Sequence, residues 1–218
     1  MIKQFTFNHF EVNSYLIVDD HVPADGGKRQ CAIVDPACEA SFEDAQLTQY
    51  IDAENLNVTH ILLTHAHVDH IAGLRQACTR YSLPVSMHPD GSKLLRQAEA
   101  WGSMMGFAVD NMGDLEQVEI NDGDTITIGS TTVECRLVPG HCPGSLCFVV
   151  ASEKAVLTGD ALFHFSIGRT DLPGGDYPTL IDHLKRRILT LPDDYRVLPG
   201  HGIASQIGKE KKYNSFLL

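Results

Sequence analysis

Hydrophobic positions along the chain recur with two periods, and their alternation predicts the order of strands and helices. Short apolar runs bounded by Gly, Pro or Asn are typical of buried strands. They cover residues 2–18 (two strands), 31–36, 58–63, 85–88, 118–128, 132–138, 146–150, 155–157 and 196–198. Apolar residues spaced three or four apart predict helices over 42–54, 71–81, 91–101, 177–191 and 206–213.

Two stretches interrupt this alternation. Asn121-Asp122-Gly123-Asp124 is a turn signal of the kind that joins paired strands, so a hairpin is predicted over 118–128. Residues 102–113 are rich in Met and Gly and follow no period. Because a loop this apolar is unusual, we expect it to be a lid or one wall of a pocket.

The strands come first as meanders and later alternate with helices, which predicts a mixed sheet with helices outside. No Pro- or Gly-rich linker divides the 218 residues, so one domain over residues 1–218 is expected. A net charge of −11 argues against nucleic acid as a partner. The apolar runs are too short to span a bilayer, and the first residues lack the apolar core of a secretory signal. A cytoplasmic location without a membrane partner is therefore expected, and no oligomeric state is indicated.

A cluster of metal-ligand side chains follows the strand at 58–63. Three imidazoles and a carboxylate lie within six residues, in Thr64-His65-Ala66-His67-Val68-Asp69-His70. In an extended chain His65 and His67 project to the same side. Asp69 and His70 lie where the chain turns into the next helix, so they point to a second position. An isolated Asp69 would be a helix N-cap, but the whole cluster predicts metal binding.

Four apolar strands end in the same way, with Pro or Thr, usually Gly, and then a side chain that can bind a metal. These segments are Ile61-Leu62-Leu63-Thr64-His65, Arg136-Leu137-Val138-Pro139-Gly140-His141, Ala155-Val156-Leu157-Thr158-Gly159-Asp160 and Arg196-Val197-Leu198-Pro199-Gly200-His201. Enzymes with α/β folds place functional groups at the ends of rigid strands. The similarity of 136–141 to 196–201 also indicates two related halves.

These motifs together resemble the metallo-β-lactamase superfamily. They are Thr64-His65-x-His67-x-Asp69-His70, His141, Asp160 and Gly200-His201-Gly202. The resemblance implies an α/β (α+β) fold, an αββα sandwich of two mixed β-sheets flanked by helices. It also implies two divalent metal ions, with His65, His67 and His141 on one, Asp69, His70 and His201 on the other, and Asp160 bridging them.

Within the superfamily the chain looks most like glyoxalase II-type thioester hydrolases, also called hydroxyacylglutathione hydrolases, in their short bacterial form. The similar segments are Asn13-Ser14-Tyr15-Leu16, Ile167-Gly168-Arg169-Thr170-Asp171, Gly174-Gly175-Asp176, Ile207-Gly208-Lys209-Glu210 and Asn214-Ser215-Phe216-Leu217. Full-length enzymes carry a C-terminal helical domain that holds glutathione, and we expect that domain to be absent here because the chain ends soon after Gly202. Lys209, Lys211 and Lys212 could hold an acidic substrate tail, but a solvated basic helix end is the favoured interpretation.

The resemblance implies hydrolysis of an acyl-thioester, such as an S-acylglutathione, by attack of a metal-bridging hydroxide. A metal lowers the pKa of bound water to about 7. Zn²⁺ suits these ligands best, while Fe and Mn remain open. Asp69 and Asp160 would be the catalytic residues, since both hold metal and can steer the proton of the hydroxide. A thiolate leaves readily, which fits the lack of an obvious general acid.

The main alternative is a persulfide (sulfur) dioxygenase of the same fold. It would hold one iron on His65, His141 and Asp160, with open positions for O₂. The presence of all seven ligand positions favours the two-metal hydrolase. A β-lactam hydrolase is disfavoured by the missing export signal, a nuclease by the charge, and a non-enzymatic binding module by the intact ligand set.

Overall fold

A computed structural model describes residues 1–23 and 26–218. The strands in the order of the chain are β1 (Ile2–Phe7), β2 (Val12–Val18), β3 (Arg29–Val34), β4 (Leu56–Leu62), β5 (Val85–Met87), β6 (Gln117–Glu119), β7 (Thr125–Ile128), β8 (Thr131–Leu137), β9 (Leu146–Val150), β10 (Ala155–Gly159), β11 (Leu162–Phe163), β12 (Ser166–Ile167), β13 (Arg196–Pro199) and β14 (Ser205–Gln206). The helices are α1 (Ser41–Ala53), α2 (Leu74–Tyr81), α3 (Ser92–Arg96), α4 (Ala98–Met105), α5 (Tyr177–His183, extended by the π-helical turn Leu184–Ile188) and α6 (Ile207–Tyr213).

Two six-stranded sheets form the body of the protein. The first has the order β1-β2-β3-β4-β5-β6; β1 to β3 pair antiparallel and β3 to β6 pair parallel. The second has the order β14-β13-β10-β9-β8-β7, and only its β10–β13 pair is parallel. Both sheets are therefore mixed, as expected, and β11 with β12 forms a separate small hairpin.

The main hydrophobic core lies between the two sheets, and helices cover their outer faces. In β2 the side chains of Tyr15 and Ile17 join Phe148 of the second sheet in this core, whereas Leu16 packs on the α1 side with Leu47. Because both faces of β2 are covered, all seven of its residues are buried, and its second half, residues 15–18, is apolar without alternation. Residues of α2, α3 and α4 pack over the first sheet, and residues of α5 and α6 over the second. The predicted αββα sandwich is confirmed.

The two sheets share one connectivity. In each, three antiparallel strands (β1-β2-β3 and β8-β9-β10) are followed by a crossover helix and a parallel strand, β4 or β13. The equivalent strand ends are therefore those of β4 and β13, which precede His65 and His201. The similar segments 136–141 and 196–201 end non-equivalent strands, because β8 opens its meander and β13 closes the crossover. Their likeness is therefore not explained by the internal repeat, and their backbones differ, since Gly140 has a φ of +118° and Gly200 does not have a positive φ.

The hairpin predicted over 118–128 is wrong. Strand β6 pairs with β5 in the first sheet and β7 pairs with β8 in the second, so the turn at 121–124 carries the chain between sheets. The hairpin turn lies instead at Gly129-Ser130, where Gly129 has a φ of +61°. A local turn signal specifies a reversal of the chain but not which strands will pair.

Two helix boundaries also differ from the expectation. The helix predicted over 91–101 is divided at Gln97 into α3 and α4, and α4 continues to Met105, inside the stretch expected to be a loop. The helix predicted from residue 71 begins at Leu74, because turns such as His70 N–H to the His67 carbonyl occupy the preceding residues. Among the described residues, none of the helices has the length and apolarity needed to cross a bilayer.

Candidate metal centre

The seven predicted ligands come together at one edge of the sandwich, although they are spread over 137 residues of sequence from 65 to 201. They lie on the segments that follow four strands: His65, His67, Asp69 and His70 after β4, His141 after β8, Asp160 after β10 and His201 after β13. The strands are fixed by the central core, so the segments that leave them start from rigid positions.

His65, His67 and His141 form the first group. Nε2 of His141 lies 2.9 Å from Nδ1 of His67, and the ring of His65 is centred 4.8 Å from that of His67 and 5.0 Å from that of His141. Nδ1 of His141 donates to the Arg169 carbonyl at 2.8 Å, which leaves Nε2 with its lone pair towards the group. Nε2 of His65 is buried without a hydrogen-bond partner. Such an arrangement of nitrogen lone pairs is what a cation requires.

Asp69, His70 and His201 form the second group. Nε2 of His201 lies 3.3 Å from Oδ2 of Asp69 and 3.3 Å from Nε2 of His70. The other ring nitrogens are anchored outside the group: Nδ1 of His201 donates to the Phe10 carbonyl at 2.9 Å, and Nδ1 of His70 lies 3.0 Å from Oδ2 of Asp35. Both imidazoles therefore present Nε2 to the same space.

Asp160 lies between the two groups. Its Oδ1 is 3.3 Å from Nε2 of His70, and its Oδ2 is 3.5 Å from Nε2 of His201 and 3.7 Å from Nε2 of His141. Oδ1 is buried and accepts no hydrogen bond. A buried carboxylate oxygen without a donor needs another positive partner. The position fits the bridging role that the resemblance implies.

The electrostatics differ between the two groups. Burial lowers the pKa of His65 well below its usual value and that of His67 to about 4, so both imidazoles are neutral. Burial opposes the ionisation of Asp160, but the neighbouring His70 outweighs it and lowers the pKa of the carboxyl. For His70 burial is likewise overcome, because Asp160 and Asp69 raise its pKa. The first group therefore presents neutral imidazole nitrogens and the carboxylates of the second attract positive charge, and such nitrogen and oxygen donors fit divalent metal ions.

One residue that holds the cluster in place was not singled out by the sequence analysis. Asp35, directly after β3, is buried; its Oδ1 accepts from the Thr64 N–H at 2.7 Å and its Oδ2 from the Thr64 hydroxyl at 2.6 Å. The same Oδ2 receives Nδ1 of His70. Thr64 Oγ1 in turn lies 3.0 Å from Nδ1 of His65. The sequence did contain a signal for Asp35, because an Asp directly follows the apolar strand β3 just as Asp160 directly follows β10.

Two glycines allow the segments to approach each other. A Cβ added at Gly200 would collide with Oδ1 of Asp160 and lie 2.7 Å from Cε1 of His70. A Cβ at Gly168 would collide with the Asp160 carbonyl oxygen. The Gly before His201 in the strand-end pattern is therefore required by the packing of the cluster itself.

Several other candidates have structural roles. The sulfur of Cys142 lies within 4.8 Å of the first group's nitrogens, but burial raises its pKa to about 12, and it contacts the Ser145 hydroxyl at 3.2 Å. Lys211 pairs with Asp193 at 2.6 Å, and the ammonium of Lys212 lies over the ring of Tyr213. Two of the three lysines near the end of α6 therefore contact neighbouring side chains of the same region, and that this end is a solvated basic helix end rather than a substrate site stays a prediction.

A cleft of about 340 Å³ opens above the cluster. Its lining residues are Phe10, Ala66, His67, Val68, Asp69, Leu94, Ala98, Trp101, Met105, His141, Asp160, Phe163, Arg169, Leu172, Pro173 and His201. From the stretch 102–113, Met105 contributes to one wall, as part of α4 rather than of a loop. The volume is that of a small-molecule site.

Comparison with known proteins agrees with this geometry. Residues 8–201 match the family model of the metallo-beta-lactamase superfamily. A relative named probable metallo-hydrolase YqgX, from Bacillus subtilis, is 34% identical over 207 residues, which are 95% of this chain and 92% of that protein. Hydroxyacylglutathione hydrolase GloC from Haemophilus influenzae is 34% identical over 215 residues, which are 95% of this chain and 93% of that protein.

Solved structures show the same fold over the whole length of the chain. The BLEG-1 B3 metallo-beta-lactamase superposes with a TM-score of 0.87 at 31% identity, covering 100% of this chain and 99% of that one. TTHA1623, whose crystal structure is of a di-iron-bound form, superposes with a TM-score of 0.84 at 32% identity, covering 99% of this chain and 100% of that one. The sequence motifs, the fold and the ligand cluster lead to one conclusion: the chain belongs to the metallo-β-lactamase superfamily.

Proposed function

We propose that this protein is a dinuclear metal-dependent hydrolase that cleaves a thioester such as an S-acylglutathione. The observation that carries the proposal is the pair of three-residue groups with Asp160 between them. In this proposal His65, His67 and His141 would hold one metal ion, Asp69, His70 and His201 would hold the other, and Asp160 would be available to both. The similarity to YqgX and GloC supports the hydrolase class, and the name of GloC supports the thioester.

The bound metals would supply Lewis acidity, which polarises a carbonyl and lowers the pKa of water to about 7. Zn²⁺ is the ion that we favour, with Fe and Mn as the others that such ligands accept. The protein fixes the ligands through partners outside the groups. Asp35 orients His70, and the carbonyls of Arg169 and Phe10 orient His141 and His201.

Asp69 and Asp160 are the carboxylates that line the cleft, and both are proposed to take part in proton transfer. Oδ2 of Asp69 lies 3.3 Å from Nε2 of His201. Burial opposes the ionisation of Asp69, but the neighbouring His70 outweighs burial and lowers the pKa of the Asp69 carboxyl. Asp69 can therefore accept a proton only transiently. A thiol has a pKa of about 8.5 and leaves as a thiolate. The reaction therefore does not need a strong general acid beside the leaving group.

The proposal is tested by metal analysis of the purified protein followed by assays with a panel of acyl-thioesters that includes S-D-lactoylglutathione. About two metal ions per chain and thioester hydrolysis are expected for the wild type. Asp160→Ala and His65→Ala should each lose metal and lose hydrolysis, while Asp52→Asn, on the exposed side of α1, should change neither. Full activity with an intact metal content in either ligand variant would overturn the assignment.

Two other reactions are covered by the same experiment. The likeness to the BLEG-1 B3 metallo-beta-lactamase makes β-lactam hydrolysis the second candidate, to be assayed with a chromogenic cephalosporin. A sulfur dioxygenase would contain a single iron, on His65, His141 and Asp160, and would consume oxygen with glutathione persulfide. We expect faster turnover of thioesters than of the persulfide, because two complete ligand groups are present. We also expect faster turnover of thioesters than of the cephalosporin, because the relative GloC is named a hydroxyacylglutathione hydrolase.

A further inference from the structure

One wall of the cleft is an apolar stripe along two consecutive helices. Leu94 of α3 and Ala98, Trp101 and Met105 of α4 follow one another at intervals of four, three and four residues, so they share one helical face. All four line the cleft, and Leu94, Trp101 and Met105 remain partly exposed. The stripe is therefore only partly covered by the rest of the protein: Ala98 is buried, and the three larger apolar side chains keep some exposure.

The remaining walls of the cleft are also apolar. Phe10 comes from the turn between β1 and β2, Phe163 from β11, and Leu172 and Pro173 from the segment before α5. Phe10 is 42% exposed. An apolar surface that faces an open cleft rather than the core marks a binding site for an apolar group.

Few charged side chains line the cleft. Asp69 and Asp160 belong to the metal cluster, and Arg169 is the one Lys or Arg among the described residues that line the cleft. Its side chain is 59% exposed, and its Nε and Nη2 donate to the two carboxylate oxygens of Asp171, both at 2.8 Å. Apart from the metal ions of the proposed function, the carboxylates of a glutathione conjugate would therefore meet only this guanidinium, which is already paired.

From this distribution we infer that the preferred substrate is a thioester with a bulky apolar group, which packs on the stripe formed by Leu94, Ala98, Trp101 and Met105 while its carbonyl lies at the cluster. The inference rests on the proposed function. Water adds its oxygen to the carbonyl carbon, the C–S bond breaks, and the products are a carboxylic acid and a thiol. The apolar group can belong to the acyl or to the thiol side, and the two arms of the experiment distinguish these cases.

The first arm uses thioesters of one small uncharged thiol, N-acetylcysteamine, with acetyl, butyryl, hexanoyl and octanoyl groups. The second uses acetyl thioesters of butanethiol, hexanethiol and octanethiol. Burial of a methylene contributes about 0.8 kcal/mol, so kcat/KM should rise by up to about fourfold per methylene in one arm. The best substrate of that series should exceed S-D-lactoylglutathione. A flat series in both arms, with S-D-lactoylglutathione preferred, would overturn the inference.

The role of the stripe is tested by Trp101→Ala. This variant should raise KM for the longest substrate about tenfold or more and leave the acetyl thioester of N-acetylcysteamine nearly unchanged, so that the chain-length dependence flattens. Met104→Ala is the matched control, since Met104 is on the same helix but is 77% exposed and does not line the cleft. An equal rise in KM for substrates of all chain lengths would indicate a merely structural role of Trp101 and would contradict the proposal.

Binding can also be measured without turnover, because Trp101 is the one tryptophan of the chain. The thioether N-acetyl-S-octylcysteamine cannot be hydrolysed and should cause a saturable blue shift of the wild-type tryptophan emission, while the S-methyl analogue should not. If no thioester is cleaved but the octyl thioether binds, the proposed function fails and the apolar site stands. If thioesters are cleaved but emission is unchanged by the octyl compound, the apolar site is wrong and the proposed function stands.

Discussion

Oδ2 of Asp35 lies 3.0 Å from Nδ1 of His70, although the two residues are 35 positions apart. Asp35 ends β3 and His70 follows β4, and these neighbouring parallel strands bring them together. The carboxylate fixes which nitrogen of the ring carries the proton, so that Nε2 faces the metal cluster. Through Thr64, whose N–H and hydroxyl it also accepts, Asp35 supports the residue that precedes His65.

Replacement of Asp35 by Asn should therefore weaken metal binding without removing a ligand. Asp35 accepts from Thr64 and His70 with two oxygens, whereas an Asn side chain has only one accepting oxygen. The ring of His70 therefore loses its orientation. Loss of such a supporting hydrogen bond costs roughly 10- to 100-fold in metal affinity. Competition with a chromophoric chelator measures this change, and circular dichroism verifies that the fold is retained. Asp52→Asn is the control, and equal metal affinity in wild type and Asp35→Asn would exclude the role.

A glycine beside the cluster provides a second test. Gly200→Ala places a methyl group against Oδ1 of Asp160 and Cε1 of His70, so both of these side chains must move away from position 200. Because Gly200 does not have a positive φ, the backbone itself tolerates Ala. We expect a folded protein with strongly reduced metal content and at least 100-fold lower hydrolysis, measured by elemental analysis and by thioester assay.

Gly202→Ala is the matched control for that substitution. Gly202 has a φ of +73° and an added Cβ would meet nothing within 4 Å. Its conformation disfavours Ala, so we expect about 1 kcal/mol of lost stability with the metal content unchanged. A normal metal content in Gly200→Ala would show that the cluster adjusts to the methyl group, and the packing of Gly200 against Asp160 and His70 would then not be rigid.

The position of α4, which carries the apolar stripe, depends on a histidine at the rim of the cleft. Nδ1 of His9 lies 2.7 Å from Oε2 of Glu39, and Nε2 lies 3.3 Å from the Met105 carbonyl at the end of α4. The ring stacks on Phe107. The hydrogen bond to Glu39 raises the pKa of His9. The doubly protonated ring donates to both partners and places its charge at a helix C-terminus, where a cation is favourable.

A raised pKa gives this contact a defined dependence on pH. The folded state binds the proton more tightly than the unfolded state, whose pKa is about 6.5. The stabilisation is therefore complete below about pH 6.5 and is lost as the pH rises through the folded-state pKa. Glu39→Gln should lower the urea midpoint at pH 6 and have little effect at pH 9, with Glu99→Gln, an exposed change on α4, as the control. An equal decrease of the urea midpoint at pH 6 and pH 9 would contradict a contact that depends on the protonation of His9.

Sequence patterns predicted which side chains would lie together, because each of them follows a recognisable strand end. His65, His67, Asp69 and His70 lie in one segment, and His141, Asp160 and His201 could be found from the shape of the strand ends that carry them. All seven lie together in the structure. Asp35 escaped because its function is a hydrogen bond between distant segments, and a single Asp before a Pro is also an ordinary turn residue.

The pairing of the strands was harder to predict from the sequence than the residues of the candidate site were. The turn at 121–124 has the residues of a hairpin, yet its flanking strands belong to different sheets, since pairing is decided by the two cores and not by the turn. The apolar wall was located only in part. Residues 102–113 were expected to be a lid or one wall of a pocket, and Met105 of that stretch does line the cleft, but as part of α4. Trp101 lies in the helix predicted over 91–101, and only the packing shows that it faces the cleft.

The C-terminal segment offers a further test, because a buried carboxylate ties it to the hairpin of β11 and β12. Glu210 of α6 is fully buried. It accepts from the Phe165 N–H with both oxygens, at 3.2 and 3.1 Å, and from Nδ2 of Asn214 at 2.8 Å, and the Ser205 hydroxyl also donates to it. Phe165 has a φ of +57°, so its turn is held in a conformation that other residues must stabilise.

Glu210→Ala should destabilise the protein by about 3 kcal/mol, because three buried donors lose a charged acceptor. Urea unfolding should show a lower midpoint with an unchanged slope. The metal content should remain that of the wild type, since none of the ligands contacts Glu210, whereas KM for an apolar thioester should rise, because Phe163 of the same hairpin lines the cleft. Lys209→Ala, on the exposed side of α6, should leave all three quantities unchanged. An unaltered urea midpoint in Glu210→Ala would show that the C-terminal helix is held by its apolar contacts alone.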